Sequence, residues 1–103
     1  MHAVLVTFQS TLSTDELAVP FREYAEALRS IPGLISKTWV KDGDRIGGFH
    51  VFESRAEAET YLSGEMVSEL TSNPAFTNFS IEHFSVLDDL SQITGTPQRT
   101  LSV

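Results

Sequence analysis

The stretch PGLISKTWVKDGDRIGGFHVFES, residues 32–54, decides how the rest of the chain is read. Two runs rich in β-branched and aromatic residues flank Asp42-Gly43-Asp44. Glycine takes positive φ without steric cost and aspartate tolerates turn geometry, so these residues suit a tight hairpin. With Gly43-Asp44 as the turn, Asp42 faces Arg45, Trp39 faces Gly48, Lys37 faces His50 and Ile35 faces Phe52. Side chains alternate between the two faces of a strand. Ile35, Lys37, Trp39, His50 and Phe52 therefore share one face, and Leu34, Ser36, Thr38, Val40, Phe49 and Val51 the other. The first set mixes aromatic rings with an ammonium and an imidazole, as small-molecule pockets often do. A core aromatic cluster with polar tips has the same composition, and the pattern alone favours that second reading.

Outward from the hairpin, residues 2–9 alternate as a strand. His2, Val4, Val6 and Phe8 lie on one face and Ala3, Leu5, Thr7 and Gln9 on the other. Apolar groups on both faces mark a central strand. Ser13-Thr14-Asp15-Glu16 fits a capping box, and Leu17, Phe21, Tyr24, Leu28 and Ile31 follow as one helical stripe. Pro20 falls inside that stripe, where it costs about 3 kcal/mol, so the main helix is expected to begin near Pro20. Ser54-Arg55-Ala56-Glu57 is a second capping box. Gly64 interrupts the helix that follows, a further helical stretch runs to about Thr71, and Asn73-Pro74 stops it. Residues 77–87 alternate as a fourth strand, with Phe79, Ile81, His83, Ser85 and Leu87 on one face and Ser80, Glu82, Phe84 and Val86 on the other. Leu90 to Thr94 is expected to form a short docked segment. The domain is expected to span residues 1–94, with 95–103 as a flexible tail.

The order β-α-β-β-α-β, with right-handed crossovers, predicts an α+β, ferredoxin-like domain with an antiparallel sheet. Two helical segments cover only one sheet face, yet the strands carry large apolar residues on both. Sheet-to-sheet pairing of two copies closes such a structure.

Composition limits the function. The formal charge of −7 disfavours nucleic acid and anionic membrane surfaces. Among only two lysines, Lys41 suits a solvated strand edge, while Lys37 sits between Ile35 and Trp39. The absence of cysteine removes disulfides, thiol nucleophiles and thiolate metal sites. The first residues have no basic region ahead of a short apolar run, so a cytoplasmic protein is expected. No stretch has bilayer-spanning length. His2, His50 and His83 lack helical metal spacing, and no metal site is expected. Gly47-Gly48 lies inside a strand, where it allows close backbone approach or leaves room for the Trp39 ring.

What remains is acid–base chemistry in an apolar pocket. His50 and Lys37 are the candidate catalytic residues: the imidazole moves a proton and the ammonium stabilises a phenolate or enolate oxygen. Trp39, Phe52, Tyr24, Phe8 and His83 are the candidate substrate-binding residues. Tyr24 lies on the regular apolar stripe, and Phe49 on the face opposite Trp39, so packing explains both as well as binding does.

Several short motifs occur in a familiar order: Pro32-Gly33-Leu34, Lys37-x-Trp39, Gly47-Gly48-x-His50-x-Phe52-Glu53, Ala58, Tyr61-Leu62, Phe84, Asp88 and Leu90-Ser91-Gln92-Ile93. In this order and spacing the chain resembles the YdhR-like mono-oxygenase family of the dimeric α/β-barrel superfamily. The resemblance covers residues 32–93. It implies a ferredoxin-like protomer, a homodimer with facing sheets, and oxygenation of a small aromatic substrate without metal or flavin, so no cofactor is expected. His50 stands where relatives often carry an aromatic residue. Ser63, Gly64, Glu65 and Ser68 stand where relatives tend to carry basic residues or histidine, so a haem-degrading role lacks its helix-borne ligand. A cyclase or isomerase, or a non-catalytic binding dimer, would use the same scaffold.

Overall fold

The computed structural model describes residues 1–95. Eight elements follow one another: β1 His2–Ser10, α1 Thr14–Leu28, β2 Leu34–Asp42, β3 Arg45–Phe52, α2 Arg55–Leu62, α3 Glu65–Ser72, β4 Phe76–Ser85 and α4 Asp88–Thr94. The strands form one antiparallel sheet in the order β2-β3-β1-β4. This is the ferredoxin-like arrangement, with β1 in the interior as its two apolar faces require. The expected tail lies almost wholly outside the described residues.

The hairpin forms in the register read from its turn. Asp42 pairs with Arg45, Trp39 with Gly48 and Lys37 with His50. Gly43 takes φ +60°, while Asp44 has no positive φ, so only the first central turn position needs glycine. The register breaks at the far end. The ladder shifts between Leu34 and Ser36, and Leu34, not Ile35, pairs with Phe52. Leu34 then packs against the core built around Phe52, Val4 and Leu28. The bulge leaves Ile35 as the extra residue without a partner in the ladder, and Leu34 takes the place beside Phe52 that simple parity gave to Ile35.

A second irregularity, between Thr7 and Gln9 of the β1–β4 ladder, coincides with Asn78 at φ +55°. It turns Phe76 and Phe79 to the same side despite their odd spacing. Both rings lie 5.0 Å from Phe8.

Helix α1 corrects another expectation. It is continuous from Thr14 through Pro20 rather than starting there. Its first turn is strongly anchored. The Ser13 hydroxyl accepts from the Glu16 N–H at 3.1 Å, and the Glu16 carboxylate accepts from the Ser13 N–H at 3.0 Å. Leu17 and Leu28, three turns apart, are both buried against the sheet. A break at Pro20 would forfeit that shared face, which offsets the lost hydrogen bond. In α2 half of the expected box forms: the Ser54 hydroxyl accepts from the Glu57 N–H and donates to the Glu57 carboxylate at 3.0 Å.

Helices α1, α2 and α3 cover one sheet face, where two clusters meet. One joins Val4, Val6, Phe52, Leu28, Ala58, Tyr61 and Val67, and the other Phe8, Leu17, Ile46 and Phe76. On the opposite face Ala3 and Val51 are buried, but among the described residues no helix covers its large apolar side chains. Val40, Phe49 and Phe84 stand 41%, 40% and 47% exposed there. The expected docked segment is the helix α4, and it buries none of its residues: Leu90 and Ile93 face solvent. Among the described residues no helix is long and apolar enough to cross a membrane.

Candidate functional site

A narrow cavity lies between the helices and the covered sheet face. Phe21 and Tyr24 of α1, Tyr61 of α2, and Val67 and Leu70 of α3 form its roof. Its floor is Val6 and Phe8 of β1, Lys37 and Trp39 of β2, Gly47, Gly48 and His50 of β3, and Phe79 and Ile81 of β4. Its volume is about 20 Å³, room for a single water. No carboxylate lines it.

The two polar floor residues arrive from paired strand positions. His50 is only 2% exposed. Its Nδ1 lies 3.2 Å from the Val4 carbonyl oxygen, which accepts and so fixes the proton on Nδ1. Nε2 is left as a buried acceptor with no partner. Burial, aided by the Lys37 charge, pulls the imidazole down to about 4, so it is neutral at pH 7.

Lys37 extends across the floor with its ammonium 3.6 Å from the Trp39 ring centroid and 5.0 Å from that of Tyr24. Ring faces attract a cation but do not neutralise it. No Asp or Glu lies within ion-pair distance of Lys37 among the described residues. Burial lowers its pKa to about 8, so it stays mostly charged at pH 7.

The two glycines have separate reasons. A Cβ on Gly47 would fall 2.0 Å from the Val6 carbonyl oxygen, so close backbone approach is its role. A Cβ on Gly48 would meet Lys37 Cε at 2.3 Å, Lys37 Nζ at 3.3 Å and His50 Cε1 at 3.1 Å. The room at Gly48 thus belongs to the lysine and not to the Trp39 ring. Lys37 and Trp39 also border an outer groove against Ala25, Leu28 and Arg29.

Of the residues singled out in the sequence, Lys37, His50, Trp39, Tyr24 and Phe8 converge on this cavity. Phe52 does not line it. It lies beneath, fully buried, with its ring nearly parallel to that of His50 at 6.2 Å. His83 lies on the same sheet face but outside the cavity, its Nδ1 2.8 Å from His2 Nε2. Burial is the main cause holding the His2 pKa below the usual histidine value, with the His83 charge second.

In the sequence Tyr61 stands out only within the Tyr61-Leu62 motif, with no role attached. Its hydroxyl lies 2.6 Å from that of Tyr24, and its ring 5.7 Å from that of His50. Burial pushes both phenols above the usual tyrosine value, so both stay protonated at neutral pH. Only the fold brings two helix residues 37 positions apart together over one imidazole.

The arrangement can hold an oxyanion at Lys37 and accept a proton at His50 Nε2, within apolar walls that strengthen both interactions. Among the described residues no group of three or more His, Cys, Asp or Glu is placed to hold a metal ion.

Comparison with known proteins agrees with this architecture. No protein of curated function matches the chain by sequence. A protein of unknown function from Nitrosomonas europaea is 22% identical, with a TM-score of 0.68 over 84% of this chain and 88% of that one. The haem-degrading protein MhuD from Mycobacterium tuberculosis is 20% identical, with a TM-score of 0.66 over 84% and 96%. An antibiotic biosynthesis monooxygenase is 15% identical, with a TM-score of 0.68 over 84% and 99%. At these identities the likenesses establish the fold. The family described as "Putative mono-oxygenase ydhR" matches residues 4–97, nearly the whole chain, and the protein belongs to that family.

Proposed function

We propose that the protein is a cofactor-independent mono-oxygenase of small aromatic or polycyclic phenolic substrates, acting as a homodimer. One observation carries the reading: an ammonium without a counter-ion and a buried imidazole nitrogen without a donor lie on one apolar cavity wall. The substrate ring packs against Phe8, Trp39 and Phe79 as the roof side chains part to admit it, with the Lys37 ammonium staying beside Gly48. Lys37 favours the ionised substrate. His50 Nε2 takes a proton and later returns it.

The ionised substrate itself reduces oxygen. Its activated ring carbon donates an electron pair to dioxygen, forming a carbon–oxygen bond and a peroxide anion. That anion takes the proton. Loss of the remaining C–H proton with cleavage of the O–O bond leaves a carbonyl and one water. In a phenol the O–H lost on ionisation and the single C–H of the attacked carbon supply all the electrons, and in an anthrone the two C–H bonds of its methylene carbon do, so no external reductant is needed.

The uncovered face, with Val40, Phe49 and Phe84, supports pairing with a second copy, because apolar patches of this kind are seldom left bare. Oxygen uptake with a panel of catechols, hydroquinones and anthrones tests the activity. One oxygen consumed per carbonyl formed is expected, and Lys37→Met should lower the rate by roughly a hundredfold, as loss of an oxyanion-stabilising group does. No uptake across the panel would count against it.

The free Nε2 acceptor beside an ammonium would equally serve enolisation, the chemistry of an isomerase or cyclase. Turnover that continues under strict anaerobiosis selects that second reading.

A further inference from the structure

The polar groups of the cavity limit what it can bind, given the reading above that it holds an aromatic substrate. Five lining side chains carry polar atoms: Tyr24, Tyr61, Lys37, His50 and Trp39, whose indole N–H is a donor only. One tyrosine hydroxyl donates to the other, so both oxygens have a partner while one phenolic proton is left over. His50 Nδ1 is engaged by the Val4 carbonyl oxygen. Among the described residues two groups of the cavity have no polar partner at all: Lys37 Nζ, which lacks an anion, and His50 Nε2, which lacks a donor. They lie on the same side of the sheet: Lys37 Nζ is 3.3 Å, and His50 Cε1, the ring carbon bonded to Nε2, 3.1 Å from the place where Gly48 lacks a Cβ.

Few ligands meet both. A phenolate or carboxylate serves Lys37 and leaves Nε2 orphaned. A neutral phenol serves Nε2 and leaves the ammonium unpaired. A para-diol points its oxygens in opposite directions and cannot bring both to one vertex. We propose that the ligand is the mono-anion of a vicinal dihydroxy-aromatic, with its ionised oxygen on Lys37 and its remaining O–H donated to His50 Nε2. In water that O–H is held by the neighbouring oxygen. When Lys37 takes over the ionised oxygen, the O–H is free to turn to the imidazole.

Quenching of Trp39, the only tryptophan, by 4-nitrocatechol and by 4-nitrophenol tests this without oxygen present. The two rings differ only in the second hydroxyl. The native protein should bind 4-nitrocatechol at least about tenfold more tightly, the scale of one hydrogen bond to a group otherwise left unsatisfied. In His50→Leu the preference should shrink to within about twofold, while anion binding persists through Lys37. Gly48→Ala is the second variant. The nearest atoms to its methyl group are the end of the Lys37 side chain and the edge of the His50 ring, with no backbone among them, and it fills the vertex; a native melting temperature for this variant shows that it folds. It should abolish the preference as well.

Equal affinities in the native protein, a preference that survives either substitution, or no quenching by either ring would overturn the proposal. Intact selectivity without oxygen uptake would instead remove only the mono-oxygenase reading.

Discussion

The two faces of the sheet are unfinished in different ways. The covered face is sealed by three helices and is apolar, yet it keeps an unpaired ammonium and an orphaned imidazole nitrogen. Val40, Phe49 and Phe84 on the bare face lack only cover. Burying an unpaired polar group costs stability, whereas exposing an apolar one only forgoes a gain. The first condition calls for a small polar ligand, and the second for a broad apolar surface. One strand serves both, since β3 sends His50 and Phe52 to one side and Phe49 and Val51 to the other.

The bare face offers the largest effect. In dilute buffer the native protein should sediment as two chains. Phe49→Lys should weaken pairing by roughly 3 kcal/mol or more, on the order of a hundredfold, because it removes an apolar anchor and buries a charge. Sedimentation of both forms at micromolar concentration checks this, and a native protein that runs as one chain breaks the comparison at once.

The covered face should reveal itself in acid. His50 titrates near 6.5 when unfolded and near 4 when folded. Between those values the unfolded chain binds more protons, so stability falls as the pH drops from 6.5 towards 4, by roughly 3 kcal/mol when complete. His2 pulls in the same direction, so the useful quantity is the difference between native and His50→Leu in urea unfolding at pH 7 and pH 4.5. The variant should lose much less stability on acidification. Parallel losses would place the titration elsewhere.

A smaller effect separates the roof from the floor. Tyr61→Phe removes one hydroxyl from the 2.6 Å pair with Tyr24 and should cost about 1 kcal/mol. Its melting temperature should fall by a few degrees while its sedimentation stays native. A change in oligomeric state would show that the two faces are coupled.

Much of this was legible in the sequence, and what was not has identifiable causes. The hairpin register followed from Gly43 and strand alternation, so the Lys37–His50 and Trp39–Gly48 pairs were accessible. Alternation failed at Ile35 and before Phe79 because bulges insert a residue that parity cannot anticipate. Pro20 misled because local propensity ignores the burial shared by Leu17 and Leu28. Phe52 was placed on the face of His50, while alternation left open whether His83 shares it. Alternation cannot say how far along a strand a cavity extends, and both fall beyond its edge. The Tyr24–Tyr61 contact had no local signal. The neutral state of His50 depends on burial among residues distant in the chain.

Adjacent glycines in β3 are subject to unlike evolutionary constraints. At position 47 any side chain collides with the backbone of β1, so drift there is closed. At position 48 the obstacle is the end of a flexible lysine, which can swing outward. If the cavity holds the ligand proposed above, alanine or serine at 48 would narrow the space beside Lys37 and His50 without touching the backbone of β1, so this one position would set what fits.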